Sequence, residues 1–345
     1  MDALDLELVN ALQMRPRAPW AEVAEPLGID PATVSRRWAR LSESGAAWVT
    51  CYPGNRQIPY GCVALVEVTC VAGSVLRVAE QVAAHPHALS VDVCSGSRDL
   101  FVTVATASVA ALARYVGERL GTLPDVVRTE TSLATRGYRE ASRWRLDSLD
   151  AAQRIALAGS RDSSDGRTRI PEEDWELLLA LGVDGRMSLT ELSERTGQAQ
   201  STVRRRLDRL LASDRAVLRC DFAHVLAGWQ LPAVLWLTVP APQLHATAQR
   251  LCALPEARAC WATTGPANLC LYVWLHTPQH LEQVAEHLLQ HFPGLQIRDT
   301  SAVLRVIKRT GRLLDADGRC VGQVPMDLWR DPVEGQDPWR ATGPG

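Results

Sequence analysis

Lysine is almost absent: Lys308 is the only one among 37 Lys and Arg residues, so the positive charge is carried by arginine throughout. The nine cysteines include no C-x-x-C pair, and their number is odd. Both facts argue against a disulfide framework or a zinc site and fit a reducing, cytoplasmic setting. Long apolar runs are lacking as well. The stretch 61–71 is broken by Glu67 and 231–240 is too short, against the ~20 residues a membrane helix needs. The chain opens with Asp2, Asp5 and Glu7 rather than a basic and then an apolar region, so no signal peptide is expected. Excess charge is missing too. With a formal net charge of −2, a nucleic-acid role has to rest on a local patch.

What is present is a soluble-protein balance of 46% hydrophobic and 22% charged residues over 345 positions, long enough for two or more domains. Residues 32–41 read A-T-V-S-R-R-W-A-R-L. As a helix, this stretch puts Val34, Trp38 and Leu41 on one side and Thr33, Arg36 and Arg40 on the other. Residues 201–210 read S-T-V-R-R-R-L-D-R-L and repeat the division, with Thr202, Arg205 and Arg209 outside. The offset is 169 positions (202 − 33). The same offset pairs Asp5 with Asp174, Arg17 with Arg186, Gly28 with Gly197, Cys51 with Cys220 and Gly96 with Gly265. A constant offset over ~140 residues marks an internal duplication.

Each copy begins with three helical patterns. In copy one the third starts at Asp30-Pro31, an N-cap acceptor followed by proline at the first helical position, after a short break at Gly28. Two helices joined by a tight turn, the second basic, describe a helix-turn-helix. An extended segment at 46–51 follows. The patterns then run strand 62–71, helix 74–85, strand 89–95, strand 100–106, helix 109–120 and strand 126–133. The fold class is therefore α+β: a tandem duplication of a winged-type helix-turn-helix followed by a ferredoxin-like βαββαβ domain. Each sheet leaves one face without helices, and the other copy is the nearest cover for it. The expected domains are 1–52 and 53–150 for copy one and 171–221 and 222–324 for copy two. A flexible linker at 151–170 and a poorly structured tail at 325–345 complete the chain.

This order of domains resembles the leucine-responsive regulatory protein/AsnC family of bacterial transcription regulators. The resemblance rests on Asp5, on R-x-x-x-x-E-V-A at 17–24, on T-V-S-R-R-W-A-R-L at 33–41 and on the turn G-S-R-D-L at 96–100. It covers roughly residues 2–140 and 171–308. It implies that double-stranded DNA is a partner and that the third helix enters the major groove. There Thr33, Arg36 and Arg40, with Thr202, Arg205 and Arg209, would meet bases and phosphates, and Ser35, Arg37, Arg204 and Arg206 would touch phosphate. The chemistry is independent of the family: an arginine fork can bind guanine bidentately and displace counterions. The resemblance also implies a small-molecule effector, an amino acid or related metabolite, held where effector-domain turns meet. That points to Gly96, Asp99 and Leu100 in copy one and to Gly265 and Asn268 in copy two, where Asn268 lacks the charge of Asp99. Family subunits carry one unit, so this chain is expected to be an internal pseudo-dimer able to associate further. No cofactor or metal is implied.

The copies differ at the caps. Ala199 and Gln200 replace Asp30 and Pro31, costing about 1 kcal/mol of helix stability, and Pro26 replaces Arg195 and is expected to shorten the second helix. Unequal DNA half-sites follow. His280, His287 and His291 share a helix face without carboxylate or cysteine partners at ligand spacing, and are expected to be polar surface. Two other functions compete with the regulator. One is a nonspecific architectural DNA-binding protein. The other is an enzyme like the siroheme decarboxylases, which share the architecture; His224 before Gly228-Trp229 is the one residue that would serve it.

Overall fold

The computed structural model describes residues 1–54, 57, 61–139, 143–158 and 169–333. Copy one runs α1 (Ala3–Met14), α2 (Trp20–Leu27), α3 (Pro31–Glu43), β1 (Ala47–Pro53), β2 (Cys62–Cys70), α4 (Val75–Ala83), β3 (Ala88–Cys94), β4 (Leu100–Thr106), α5 (Val109–Arg114) and β5 (Val126–Arg139). A π-helical segment, Tyr115–Leu120, continues α5, and α6 (Ala151–Leu157) follows β5. Copy two runs α7 (Trp175–Val183), α8 (Leu189–Thr196), α9 (Gln200–Ala212), β6 (Ala216–Phe222), β7 (Leu231–Thr238), α10 (Leu244–Leu251), β8 (Ala257–Thr263), β9 (Leu269–Leu275), α11 (Pro278–His291) and β10 (Gln296–Arg309). A terminal hairpin of β11 (Arg312–Leu314) and β12 (Cys320–Gln323) closes the described chain.

The wing strands pair with each other rather than within their own copies. In the antiparallel β1–β6 ribbon Thr50 lies opposite Arg219, its own equivalent at the 169 offset. A residue that pairs with its own counterpart marks a pseudo-two-fold axis. The helix-turn-helix units are clasped across that axis by a second pair of equivalents. Arg17 donates to the carbonyls of Gly185 at 2.7 Å and Met187 at 2.8 Å, while Arg186 donates to those of Pro16 at 2.6 Å and Ala18 at 3.0 Å.

The two effector sheets join at both edges. β5 extends past Leu133 to Arg139, and these extra residues pair with β8, Ala134 opposite Thr263. β10 pairs first with β7 and then crosses to β3, Val303 opposite Cys94. The ring β3-β4-β2-β5-β8-β9-β7-β10 is thereby closed, which leaves neither sheet an open edge. Helices α4 and α5 cover the outer face of one half around Val66, Val82, Val102 and Leu112. Helices α10 and α11 cover the other half around Leu235, Leu271, Val284 and Leu288. The helix-free faces meet in a shared core of Leu65, Phe101, Val234, Trp236, Cys270 and Val303, so each copy does cover the other's bare sheet.

Three expectations need correction. Residues 151–157 are not flexible linker: a capping box between Asp150 and Gln153 starts α6, and Leu157 is buried against the first helix-turn-helix. The segment before it docks there too, because Asn10 Oδ1 accepts from the amides of Ser148 and Leu149 and Gln13 Oε1 from that of Leu146. The tail is docked as far as it is described, with Trp329 stacked on Trp175 at 4.9 Å and Met326 buried; the remainder of the linker, 159–168, and Trp339 with the rest of 334–345 lie outside the described residues. Pro26 does not shorten α2, which spans eight residues as α8 does. It sits in the last turn, and each helix ends on a left-handed glycine, Gly28 at φ 65° and Gly197 at φ 64°, so the stop is set by the glycine.

Candidate nucleic-acid interface and turn cavity

On α3 the apolar side is anchored by buried Val34 and Leu41 and on α9 by Val203, Leu207 and Leu210. Opposite these, Arg36 and Arg40 are exposed on α3, and Arg204, Arg205 and Arg209 on α9, with Thr33, Ser35, Arg37, Thr202 and Arg206 half-buried. The arginines divide into two sets. Arg37 and Arg40 converge on buried Asp5 at 2.8 and 2.6 Å, and Arg37 also pairs with Asp2 at 2.8 Å. Arg206 and Arg209 converge on fully buried Asp174, with the Arg209 pair at 2.9 Å. The two acidic residues are equivalents, so each recognition helix is bolted to its own copy's first helical element through an arginine pair. Arg40 and Arg209 therefore brace the helix while remaining exposed on its outer face.

The second set points outward without carboxylate partners among the described residues: Arg36, Arg204 and Arg205. In copy one Asp30 caps α3 through the Thr33 amide at 2.9 Å and accepts from the Thr33 hydroxyl at 2.5 Å; that hydroxyl in turn accepts from Arg36 at 3.3 Å. The chain Asp30–Thr33–Arg36 orients the arginine. In copy two Ala199 offers no side-chain cap, and Arg205 has no counterpart of that chain.

The turns that precede β4 and β9 face one another. Ser97 and Arg98 of one and Pro266 and Ala267 of the other line a cavity of about 500 Å³, together with Glu67, Arg128, Glu130, Trp236, Arg298 and Asp299. Asp99 does not face it. Its carboxylate accepts from the Cys70 amide at 2.7 Å, and Asn268 does the same for Val239, the equivalent residue, at 3.0 Å. Both side chains pin the loop after the neighbouring strand, and Asn268 also donates to the Val239 carbonyl at 2.7 Å. Leu100 is fully buried in the outer core. Gly96 at φ 96° and Gly265 at φ 107° are required by backbone conformation. The expected contacts of Asp99, Leu100 and Asn268 with an effector are thus corrected to structural roles.

Sequence reasoning missed the residues that do line this cavity. Arg98 is buried, forms ion pairs with Glu67 and Asp299, and donates to Ser301 at 2.8 Å. Glu67 also accepts from the Trp236 indole at 2.8 Å; burial raises its pKa, against the pull of Arg98 and Trp236. Glu67 and Trp236 are another equivalent pair in contact across the axis (236 − 67 = 169). The signal was available: at the 169 offset Arg98 falls on Ala267 and Glu67 on Trp236, so a charged pair in one copy meets an uncharged one in the other.

The chain thus joins a reciprocally clasped pair of helix-turn-helix units to a closed double effector sheet. An AsnC-type helix-turn-helix model matches residues 1–42 and 172–211, and an Lrp/AsnC ligand-binding domain model matches 63–144 and 233–313. The chain belongs to the Lrp/AsnC family of transcription regulators. An uncharacterized HTH-type transcriptional regulator of Pyrococcus abyssi is 29% identical over 161 residues, covering 46% of this chain and 96% of the relative. The regulator AldR of Mycolicibacterium smegmatis is 28% identical over 148 residues, 41% of this chain and 85% of the relative. Each covers less than half of a duplicated chain. The whole double fold is similar to the siroheme decarboxylase NirDL, with a TM-score of 0.58 at 12% identity, covering 89% of this chain and 93% of that one; that likeness is one of fold.

Proposed function

We propose that one subunit of this regulator carries a complete, unequal DNA-reading pair, with α3 and α9 in separate major-groove segments of double-stranded DNA. Arg36, Arg204 and Arg205 read bases or phosphates, Thr33, Ser35 and Thr202 flank them, and Arg37, Arg40, Arg206 and Arg209 hold the helices and lend charge to the backbone. The observation that carries this is the division of the arginines: a core-facing carboxylate in each copy takes two and leaves the outward ones unpaired. The mutual Arg17–Arg186 clasp fixes the two helices relative to each other, as reading two half-sites requires. The turn cavity takes the effector. Arg128, Arg298, Glu130 and Asp299 set both signs of charge around it, which suits an amino acid or a related zwitterion.

The reading as an enzyme is disfavoured by His224. It is 5% exposed, its ring stacks on Trp274 at 5.4 Å, and its Nδ1 lies 3.2 Å from the Arg309 guanidinium. Burial and Arg309 depress its pKa to about 2, which leaves the ring neutral and enclosed.

The test is footprinting on DNA flanking the protein's own gene, repeated across salt concentrations. Two protected major-groove segments, with affinity falling steeply as salt rises, are expected. Arg36→Ala and Arg205→Ala should each cost about 1–3 kcal/mol, at different positions of the operator. Equal loss at every position would defeat the unequal pair. No shift at low salt, together with an absorbance change on adding siroheme, would defeat the regulator in favour of the enzyme.

A further inference from the structure

The closed sheet has a second cavity at the end away from the turns. Its volume is about 190 Å³, and its walls come from both copies and the tail: Leu89, Asp92 and Thr103 on one side, Arg258, Tyr272 and Trp274 on the other, Arg219 from the wing, and Lys308 with Arg309 from β10. Four of these are buried cations: Arg219, Arg258, Arg309 and Lys308 are 6%, 2%, 6% and 0% exposed. Against them stand the buried carboxylates Asp221, which pairs with Arg219 at 2.5 Å and Arg258 at 2.8 Å, and Asp92.

Lys308 departs most from the rest of the chain. Every other cationic side chain of this type is arginine, yet here a lysine is fully buried, forms no ion pair among the described residues, and donates to the His85 carbonyl at 2.9 Å. A buried cation without a counter-charge is costly. Two donors of residues that line the cavity lack acceptors, Arg219 Nε and Trp274 Nε1. A negatively charged acceptor would complement these groups.

We propose that this cavity is a second ligand site, distinct from the turn cavity, and that it binds a small aromatic carboxylate between Lys308, Arg219 and the Trp274 ring. The charge follows from the surplus of buried cations and the open donors. The ring follows from the aromatic lining, Trp261, Tyr272, Trp274 and Trp329, and from size: an apolar cavity of about 150 Å³ accommodates benzene, so 190 Å³ leaves room for one ring and a carboxylate. Such a ligand would contact strands of both copies and the wing strand of the second, which follows directly from α9.

Calorimetric titration of the full chain with benzoate, and with its neutral isostere benzamide, tests this without DNA present, so the site and the regulator can fail separately. Benzoate should bind at least tenfold more tightly than benzamide. Lys308→Met, which removes a buried charge and should fold, should reduce that preference to under twofold. Thr103→Leu, which fills space at a half-buried wall position and leaves every charge in place, should weaken benzoate at least fivefold. Equal binding of benzoate and benzamide, or an undiminished preference in Lys308→Met, would overturn the carboxylate site. Inorganic phosphate binding as tightly as benzoate would overturn the aromatic class.

Discussion

The two helix-turn-helix units fold alike but are capped on different helices. In copy one Asp30 caps the recognition helix and Pro19 leaves α2 without a side-chain cap; in copy two Ser188 and Glu191 form a capping box on α8 and Ala199 leaves α9 without one. Duplication within one chain relieves each copy of having to be complete, because the partner is always present. The effector halves show the same drift: Arg98 and Glu67 face Ala267 and Trp236, while Leu89, Thr103 and Ala105 face Arg258, Tyr272 and Trp274 (offset 169). In a symmetric dimer the two copies would contribute alike to each cavity on the axis; here the turn cavity is charged mostly from copy one and the basic cavity mostly from copy two.

The largest test of that asymmetry is at the ends of the crossing strands. Trp144 follows β5, is 2% exposed, and packs against Phe222, Trp229 and Trp274 with ring centroids 6.1, 5.4 and 5.1 Å away. Its equivalent, Leu313, is half-buried in the terminal hairpin. Trp144→Ala should cost about 3–5 kcal/mol in urea unfolding, and Leu313→Ala less than half of that. Equal costs would mean that the strand ends bear load symmetrically.

Next in size is Lys308 against its equivalent Arg139, which donates to the Cys252 carbonyl. Burial lowers the Lys308 pKa to about 7, while in the unfolded chain it is about 10.4. Between these values the unfolded state binds more protons, so stability attributable to this group rises with pH; below about 7 the penalty is constant and above about 10 it vanishes. Lys308→Met should therefore stabilise the ligand-free protein at pH 7 by about 1–4 kcal/mol, and the advantage should shrink as pH rises toward 10. Arg139→Met should show no such trend, because arginine stays charged throughout that range. An advantage of Lys308→Met that is flat in pH would mean that the lysine is neutralised by something other than burial.

The helix-turn-helix, the βαββαβ order and the duplication were legible because each is written in local periodicity and in one constant offset. The outward arginines were legible for the same reason, since helical spacing places Arg36 and Arg205 opposite Val34 and Val203. What was not legible depends on pairing between distant segments. Nothing local says that β5 runs six residues past Leu133 to meet β8, or that Asp99 turns away from the turn cavity to hold the Cys70 amide. The partition of the arginines was hidden for a related reason: Asp5 and Asp174 stand out in sequence as equivalents, but their burial beneath Arg40 and Arg209 is a tertiary fact. Lys308 was visible as the sole lysine, yet its isolation from carboxylates could be seen only in the fold.

The smallest effect concerns the caps. Asp30→Ala should cost about 1 kcal/mol and Ala199→Asp should gain about as much, read as opposite shifts of the urea midpoint at constant slope. The second change should also matter for DNA. In copy one the cap is continuous with the reading face, because Asp30 holds the Thr33 hydroxyl and Thr33 holds Arg36. An aspartate at 199 can rebuild that chain through Thr202 to Arg205, since the spacing is identical. If cap and reading face are coupled as the copies suggest, Ala199→Asp should raise affinity most at the operator positions read by α9 and leave those read by α3 unchanged. A gain in stability with no change in the footprint would separate the two, and would show that the unequal caps reflect drift in helix stability alone.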